Sequence, residues 1–329
     1  MIYFDGVVYR LQSSGGISVL FDELMARLPS GSYFNDIPQL RNKFSRYFDV
    51  RLKFSSEVFH STYYRLPEGS GVKVVSTVHD FTYERYSSGP RKWVHSWQKK
   101  RAVAGSDKII CVSENTKNDL LELYGKSFEE KIVVIHNGVS SCYCELPDAV
   151  VSEQVLFVGG RGGYKNFSSV VHALEALVDI NLICVGGGGF SREEIELMDK
   201  LIPGRYHHAG FLSNDQLNVE YNKSICLLYP SLYEGFGIPV LEAMRAGCPV
   251  VAVNASSIPE VAGSAAFMLE RGQVDEIKEA IEFLCVTDNR SIYRKLGFQQ
   301  AYKFSWDLTF EKTVAVYEEL LGRKLVEKV

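Results

Sequence analysis

The sequence contains no long uninterrupted apolar run, although 46% of its 329 residues are hydrophobic. A helix that crosses a bilayer needs about 20 predominantly apolar residues. We therefore expect no membrane-spanning helix. The N-terminus, MIYFDGVVYRLQSSGG, also lacks the basic segment and the apolar stretch that together mark a secretory signal peptide, so we expect no such signal.

Cysteine pairs at metal-binding spacing are also missing. Of the seven scattered cysteines, Cys111, Cys184 and Cys226 lie in short apolar segments, where a free cysteine behaves as a small buried hydrophobic residue. Cys142 and Cys144 lie close together, but no second pair accompanies them at the spacing of a zinc site. These patterns predict a reduced, metal-free protein that works in the cytoplasm.

A broad excess of positive charge is absent, since the formal net charge is −4. Residues 1–150 contain 19 Lys and Arg against 17 Asp and Glu, whereas residues 151–329 contain 17 against 23. The basic excess is confined to residues 85–108, with seven Lys or Arg and one Asp. This distribution is not typical of a nucleic-acid-binding domain, so no nucleic-acid partner is expected.

What the sequence does contain is a regular alternation of short apolar segments and amphipathic helical segments. Parallel sheets of α/β proteins are built in this way, so we predict the α/β class, and the length favours about two domains. Strands are predicted at residues 2–4, 72–78, 108–112, 131–136, 154–158, 181–185, 205–209, 225–229 and 249–253. Helices are predicted at residues 19–28, 92–104, 114–124, 166–177, 191–200, 214–223, 239–246 and 274–284, and from residue 306 onward.

The most informative segment is residues 229–253, YPSLYEGFGIPVLEAMRAGCPVVAV, which carries Glu234 and Glu242. Pro239 suits the first turn of a helix, and Gly247 suits the position just past its end. A glycine-bearing loop therefore leads into a helix N-terminus, which favours an anion such as phosphate. Because carboxylates bind sugar hydroxyls rather than phosphate, this combination predicts a site for a nucleotide-sugar.

Two further glycine-rich turns each follow a predicted strand and precede a predicted helix. The first, residues 159–166, reads GGRGGYKN, and the second comprises residues 186–189. Glycine in such a turn lets the backbone approach a pyrophosphate closely. Arg161 and Lys165 can both reach one diphosphate, the first as a bidentate fork and the second as a point charge. A surface turn with solvated charges is the alternative.

The phrase PSLYEGFGIPVLEAMRAGCPVVA resembles the signature of retaining glycosyltransferases of the glycogen-synthase-like superfamily. The phrases FDGVVYRLQSSGGISVLFDEL and FVGGRGGYKNF resemble enzymes that build bacterial surface polysaccharides such as O-antigens. The resemblance implies the GT-B fold, in which two Rossmann-like domains with parallel sheets face each other across a cleft. It implies an acceptor-binding domain at residues 1–148, a donor-binding domain at residues 149–305, and a final helix at residues 306–329 that crosses back to the first domain.

The resemblance also implies roles for individual residues. Glu234 holds hydroxyls of the transferred sugar or serves as a nucleophile, Glu242 holds the ribose, and His79 lies near the reactive face of the sugar. Lys165 and Arg161 neutralise the diphosphate, although their spacing is shorter than in many members of the family. A purely structural histidine is the alternative for His79. The remaining donor-binding residues that the resemblance implies are Gly15, Gly16, Gly160, Phe211, Leu212, Gly235, Phe236 and Gly237.

The resemblance implies a retaining transferase that moves a hexose from GDP-mannose or a UDP-hexose to a hydroxyl of a saccharide or lipid-linked saccharide. No Asp-x-Asp motif is present, so we expect a metal-independent enzyme without a cofactor. The alternatives are a non-catalytic donor-binding subunit of a polysaccharide assembly complex, a sugar-nucleotide epimerase and a phosphorylase-like enzyme. The donor base, the sugar, the acceptor and the linkage stay open.

The basic segment at residues 91–101, RKWVHSWQKKR, places Trp93 and Trp97 one helical turn apart. Aromatic residues beside basic ones on a helix are typical of a bilayer interface. The segment therefore predicts peripheral attachment to an anionic membrane, and the resemblance to surface-polysaccharide enzymes implies the inner face of the cytoplasmic membrane. The alternative is that both tryptophans face the core and the charges are merely solvated. The basic residues of the segment are Arg91, Lys92, Lys99, Lys100 and Arg101.

Overall fold

The computed structural model describes residues 1–12, 15–38, 45–69 and 71–325, so residues 326–329 of the predicted C-terminal segment lie outside the described part. The strands are β1 Ile2–Phe4, β2 Tyr33–Asn35, β3 Val58–Ser61, β4 Lys73–Val78, β5 Lys108–Cys111, β6 Ile132–Val134, β7 Gln154–Val158, β8 Asn181–Val185, β9 Tyr206–His208, β10 Cys226–Tyr229, β11 Val250–Val253 and β12 Phe267–Leu269. The helices are α1 Val8–Leu11, α2 Gly16–Arg27, α3 Thr82–Tyr86, α4 Pro90–Gly105, α5 Glu114–Tyr124, α6 Phe167–Glu175, α7 Arg192–Leu201, α8 Asn214–Lys223, α9 Ile238–Ala246, α10 Ile258–Ala262, α11 Val274–Cys285, α12 Thr287–Ala301 and α13 Trp306–Leu321.

The chain divides into two units. Unit 1 comprises Met1–Gly138 and Ser305–Val329, and unit 2 comprises Val139–Phe304. The sequence prediction placed the divisions after residues 148 and 305. Within the described residues each unit contains a six-stranded sheet, and every strand pairing in both sheets is parallel. The predicted α/β class with parallel sheets is therefore confirmed.

The sheet of unit 1 has the strand order β2-β1-β3-β4-β5-β6. Its central strand β3 is absent from the sequence prediction, because the polar residue His60 interrupts the apolar pattern of VFHS. In the structure His60 is fully buried, and its Nδ1 lies 2.5 Å from the hydroxyl of Tyr317. Its Nε2 lies 2.8 Å from the hydroxyl of Thr77. Burial of a polar side chain is tolerated when both of its polar atoms have partners, so a core strand can carry a histidine.

Helix α13 packs within unit 1. The hydroxyl of Thr309 donates a hydrogen bond to the carbonyl oxygen of His136 at 2.8 Å. The chain runs very close to itself here, since a Cβ atom placed on Gly138 would lie 2.2 Å from the backbone nitrogen of Trp306. Helices α4 and α13 have 16 residues each. No helix in the described part of the chain combines the length and the apolar character needed to cross a bilayer.

The sheet of unit 2 has the strand order β12-β11-β10-β7-β8-β9. Strands β7 and β8 and helix α8 agree with the sequence prediction at every residue, because their patterns are local and regular. Helix α12 is absent from the prediction, since its buried residues are Gly297 and Ala301 and most of its surface is polar. The small size of Gly297 lets α12 approach α9, where a Cβ atom would lie 3.3 Å from the Cγ of Met244.

Candidate functional site

The loop between β10 and α9 has the local structure that its sequence predicts. Gly237 precedes α9 with a φ of +102°, a backbone conformation that favours glycine, and Pro239 lies in the first turn. Gly247 ends the helix in the left-handed conformation, with φ at 79°. A Cβ atom on Gly237 would lie 2.8 Å from the Cδ1 of Ile258. The loop Glu234–Gly237 is therefore tightly packed and leads directly into a helix N-terminus, where the helix dipole favours negative charge.

Lys165 and Glu234 form an ion pair across this loop. The Nζ of Lys165 contacts the Oε1 of Glu234, and the two side chains are only 15% and 12% exposed. Lys165 ends the 3-10 turn Gly163–Lys165 that follows β7, and its Nζ lies 5.4 Å from the ring centroid of Tyr229. The two residues that the sequence assigned to a diphosphate and to a sugar therefore lie at one place in unit 2.

Glu242 lies on α9 and is hydrogen-bonded to tyrosine. The hydroxyl of Tyr221 donates to the Oε2 of Glu242 at 2.9 Å. Burial raises the pKa of Glu242 to about 7, although the hydroxyls of Tyr221 and Tyr143 favour the charged form. Burial also raises the pKa of Tyr229, and the negative charges of Glu234 and Glu242 both add to this effect. Tyr229 is thus close to both glutamates, and the ribose-binding role of Glu242 stays a prediction.

Arg161 is directed towards the second glycine-rich turn. Its guanidinium donates to the carbonyl oxygens of Gly186, Gly188 and Gly189 at 3.2, 2.8 and 2.9 Å, and its Nε lies 3.1 Å from a carboxylate oxygen of Glu194. The side chain is only 3% exposed. Direct contact between Arg161 and a diphosphate stays a prediction, and it would require some of these hydrogen bonds to be exchanged.

The two glycine-rich turns pack backbone against backbone. A Cβ atom on Gly187, where φ is +71°, would lie 2.2 Å from the carbonyl oxygen of Gly159. The backbone N–H of Gly159 donates to the carbonyl oxygen of Val185 at 2.8 Å. At Gly160, by contrast, an added Cβ atom would meet nothing within 4 Å. Glycine is therefore required for packing at position 187, whereas Gly160 leaves open space beside the turn.

Phe211 and Leu212, which the family resemblance includes among the donor-binding residues, lie next to the second turn. Phe211 is 76% exposed, and Leu212 is half-buried. His208, on the edge strand β9, connects this region to the turn: its Nε2 lies 3.0 Å from the carbonyl oxygen of Gly186, and its Nδ1 accepts from the N–H of Gly210 at 3.1 Å. The donor-binding roles of Phe211 and Leu212 stay predictions.

The remaining predicted residues belong to unit 1. Gly15 precedes α2, which begins at Gly16, and a Cβ atom on Gly15 would lie 1.7 Å from the Nε2 of Gln12. His79 follows β4 and is 8% exposed, and its buried Nε2 has no hydrogen-bond partner among the described residues. Burial, aided by the positive charge of Lys99, lowers the pKa of His79 to about 4, so its imidazole is neutral at pH 7.

The structure also places two residues beside Glu234 to which the sequence analysis gave no role. Ser256 and Ser257 precede α10, and their hydroxyls are hydrogen-bonded to the backbone of the loop Glu234–Gly237. The signal in the sequence was slight, because a Ser-Ser pair before Ile-Pro is typical of many helix starts. Within the described residues no group of three or more His, Cys, Asp or Glu side chains is arranged to hold a metal ion.

The basic segment of α4 was predicted either to present its tryptophans and basic residues on one membrane-facing surface or to turn its tryptophans to the core. The structure differs from both predictions. Trp93 and Trp97 are 76% and 60% exposed, so the interpretation that they face the core is wrong. The interpretation that Lys99 lies on the same surface is also wrong, because Lys99 is fully buried and its Nζ lies 2.8 Å from the Oε2 of Glu84. Lys99 also donates to the carbonyl oxygen of Asp80 at 2.8 Å. A buried charge requires such partners, and these fix the orientation of the helix.

Comparison with known families identifies the chain. Residues 149–296 match the family described as "Glycosyl transferases group 1", and residues 21–141 match "Glycosyltransferase Family 4". The first match lies within unit 2, and the second lies almost entirely within unit 1. Together the two matches cover most of the chain, which is therefore a glycosyltransferase.

This glycosyltransferase is similar to curated enzymes from Escherichia coli. It is 27% identical over 291 residues to O-antigen chain mannosyltransferase B, covering 81% of this chain and 75% of the relative. It is also 38% identical over 281 residues to a serotype-specific mannosyltransferase WbdA, but this match spans only 34% of that longer protein.

Solved structures show the same fold. The sucrose-phosphate synthase from Thermosynechococcus elongatus superimposes on the glycosyltransferase with a TM-score of 0.80 at 19% identity, covering 98% of this chain and 99% of that one. HepE from Anabaena, solved in complex with UDP-glucose, gives a TM-score of 0.72 at 14% identity, covering 97% and 99%. The predicted GT-B fold is confirmed.

Proposed function

We propose that the protein is a retaining hexosyltransferase that takes its sugar from GDP-mannose or a UDP-hexose. Its acceptor is a hydroxyl of a saccharide or lipid-linked saccharide in surface polysaccharide biosynthesis. The observation that carries this proposal is the contact of Lys165 with Glu234 beside the N-terminus of α9. The similarity to E. coli O-antigen mannosyltransferases makes GDP-mannose the first donor to test.

The proposed charge arrangement follows from the electron flow of the reaction. When the bond between the sugar and the diphosphate breaks, its electron pair stays on the phosphate oxygen. Lys165 and the positive end of the α9 dipole stabilise that developing charge, because both are in place before the reaction begins. Glu234 binds hydroxyls of the transferred sugar while Lys165 holds one of its oxygens. We favour this role over that of a covalent nucleophile, since an oxygen paired with an ammonium group is a weaker nucleophile.

Glu242 is assigned to the ribose. Its pKa of about 7 means that the charged and the neutral form are both populated near neutral pH. Each form can bind a hydroxyl, the first as an acceptor and the second as a donor. The hydroxyl of Tyr221 donates to one of the two carboxylate oxygens and so restricts the orientation of the group. For His79 of unit 1, a neutral imidazole whose Nε2 has no partner among the described residues, we keep the role that the family resemblance implies.

The reaction is assigned to the protein's own groups without a metal ion or cofactor. The sequence lacks an Asp-x-Asp pair, and Lys165 supplies positive charge at the place where a metal ion would otherwise act. Excess EDTA tests this assignment directly.

The first experiment is a melting-temperature screen of the full chain with GDP-mannose, UDP-glucose and UDP-N-acetylglucosamine. A donor at 100 times its Kd adds roughly 2.7 kcal/mol of stability. The stabilising donor is then incubated with alkyl glycosides ending in mannose or glucose, and the products are analysed for sugar transfer and anomeric configuration. The absence of stabilisation by any of the three donors contradicts the proposal.

The same experiment separates the alternatives. A sugar-nucleotide epimerase converts the donor to its epimer when no acceptor is present, whereas a transferase forms no epimer of the donor. A non-catalytic subunit is stabilised by the donor but transfers no sugar to any acceptor. The variants Glu234→Gln and Glu175→Gln provide a matched pair, because both remove a carboxylate from unit 2 but Glu175 is exposed on α6.

We further propose that α4 attaches the enzyme to an anionic membrane surface, at the inner face of the cytoplasmic membrane. The exposed side chains Trp93, Val94 and Trp97 form an aromatic and apolar face, and Lys100 is exposed beside it. Tryptophan at such a face and neighbouring basic charge suit a bilayer interface. Arg101 contributes less, because its guanidinium binds both carboxylate oxygens of Asp49 at 2.7 and 2.5 Å.

A further inference from the structure

Two serines hold the backbone of the loop that carries Glu234. The N–H of Glu234 donates to the Oγ of Ser256 at 2.9 Å. The hydroxyl of Ser257 is shared between the carbonyl oxygens of Glu234 and Phe236, each at 3.0 Å. Three backbone groups of a four-residue loop are therefore bound by consecutive side chains.

The conformation of Ser256 is unusual for a residue with a side chain. Its φ is +52°, in the left-handed region, where a Cβ atom crowds the backbone. Glycine adopts this conformation without that cost, but glycine has no hydroxyl. A strained residue persists only when its surroundings hold it, and such residues are concentrated at functional sites. The contact that glycine cannot make at this position is the hydrogen bond to Glu234.

Ser257 is held just as firmly. It is fully buried, and both of its acceptors belong to the loop Glu234–Gly237. Without this hydroxyl the carbonyl oxygens of Glu234 and Phe236 lose a buried donor, which is unfavourable in a site shielded from water. The loop would then relax, and the carboxylate of Glu234 would move relative to Lys165.

We propose that Ser256 and Ser257 are positioning residues that fix the carboxylate of Glu234 against the transferred sugar. This inference rests on the proposed function, since it concerns how the sugar is held for transfer. Lys165 reaches the same place from another element, the turn after β7, so its contact with the diphosphate does not depend on the two serines. The serines therefore control turnover while leaving the affinity for the nucleoside diphosphate unchanged.

The test uses two substitutions that both tolerate the left-handed conformation. Ser256→Gly removes the acceptor oxygen, and Ser256→Asn retains an oxygen that can accept from the N–H of Glu234. We expect kcat to fall at least tenfold in Ser256→Gly and by less than about threefold in Ser256→Asn. Calorimetry with GDP and with UDP should give affinities within about twofold of the parent for both variants. Ser257→Ala should behave like Ser256→Gly.

Three results would overturn the proposal. The first is a Ser256→Gly variant with the parent's kcat, and the second is an equal loss in the glycine and asparagine variants. The third is a parallel loss of GDP or UDP affinity and turnover, which would indicate general damage to unit 2. Glycine relieves the strain at this position but loses the hydrogen bond, so the melting temperature of each variant is measured as well, and kcat is compared at a temperature at which the variant is fully folded.

A separate measurement keeps this inference distinguishable from the proposed function. Hydrogen exchange of the backbone in the loop Glu234–Gly237 should be faster in Ser256→Gly than in the parent, with the exchange of β7 and β8 unchanged. If the parent transfers no sugar from any donor, the proposed function fails, and hydrogen exchange alone decides whether the serines hold the loop. Unchanged exchange in the loop would refute the positioning role whatever the activity.

Discussion

The ammonium group of Lys165 lies against the carboxylate of Glu234, although the two residues are 69 positions apart in the sequence. Lys165 follows the glycine-rich turn after β7, and Glu234 follows β10, which is the neighbouring strand in the sheet. Because β7 and β10 are parallel, both residues leave the sheet at the same edge. Ligand sites of open α/β sheets are formed at this edge, so the ion pair is placed where a donor can bind.

Removal of the Glu234 carboxylate should stop transfer without unfolding the protein. We expect Glu234→Gln to lower kcat by a factor of about 10² to 10³, since a preorganised polar contact with the sugar is lost. Steady-state transfer assays measure this change. Glu175→Gln, on the exposed end of α6, is the control and should retain the parent's rate. A Glu234→Gln variant that turns over within about threefold of the parent would remove Glu234 from the site.

Removal of the Lys165 charge should affect the product as well as the reaction. Lys165→Ala loses a charge-assisted contact with the diphosphate, which contributes about 1.5–3 kcal/mol. The affinity for GDP or UDP should therefore fall roughly 10- to 100-fold, and transfer should slow in the same variant. Calorimetry measures the affinity, with Lys223→Ala on the exposed end of α8 as the control. Unchanged diphosphate affinity would show that Lys165 does not face this group.

Activity should survive chelation of divalent metal ions. Transfer is measured in excess EDTA, and again after manganese or magnesium is added back. Because Lys165 and the α9 dipole are assigned to the leaving diphosphate, we expect the rate in EDTA to match the rate without it. Complete loss of activity in EDTA, restored by one of these metal ions, would contradict a metal-independent mechanism.

The stability of unit 1 should fall when the pH is lowered from 7 to 5. Burial lowers the pKa of His60 to about 3, of His79 to about 4 and of His95 to about 3. Each histidine stays neutral in the folded state but is protonated in the unfolded chain below about pH 6.5. Each therefore lowers the free energy of unfolding by about 2 kcal/mol between pH 7 and pH 5. Asp5 opposes them, because burial raises its pKa to about 6 and its protonation favours the folded state by about 1 kcal/mol.

Tryptophan fluorescence reports on this change selectively. Trp93, Trp97 and Trp306 all belong to unit 1, and the protein has three tryptophans. Urea midpoints measured at pH 7 and pH 5 should differ, and His95→Gln should reduce the difference. His172→Gln, at an exposed position of unit 2, should not. Equal midpoints of the parent at both pH values would contradict the burial of neutral histidines.

Membrane attachment should depend on the tryptophans and not on Lys99. The double variant Trp93→Ser and Trp97→Ser should release the protein from anionic liposomes in co-sedimentation, and Lys100→Glu should weaken binding at low salt. Lys99 is unsuitable for charge reversal, since a glutamate there would face Glu84 inside unit 1. Phe48→Ser is the control, because it removes another exposed aromatic residue from unit 1. Equal sedimentation of the double variant and the parent would end the proposal.

The sequence by itself determined the features that depend on neighbouring residues. The loop before α9, the proline in its first turn and the glycine at its end follow from the conformational limits of Gly237, Pro239 and Gly247. The limits of β7, β8 and α8 follow from regular local patterns. Such preferences act over a few residues, so they can be recognised without knowing what lies across the sheet.

The tertiary structure decided which side chains meet. Arg161 and Lys165 lie in the same turn, yet one is bound by the second glycine-rich turn and the other by Glu234. Lys99 and Trp97 lie on the same helix, yet the charge is buried and the tryptophan is exposed. A buried charge needs partners from distant segments, and only the packed fold places those partners within reach. For this reason the composition of α4 could not show which of its faces meets the core.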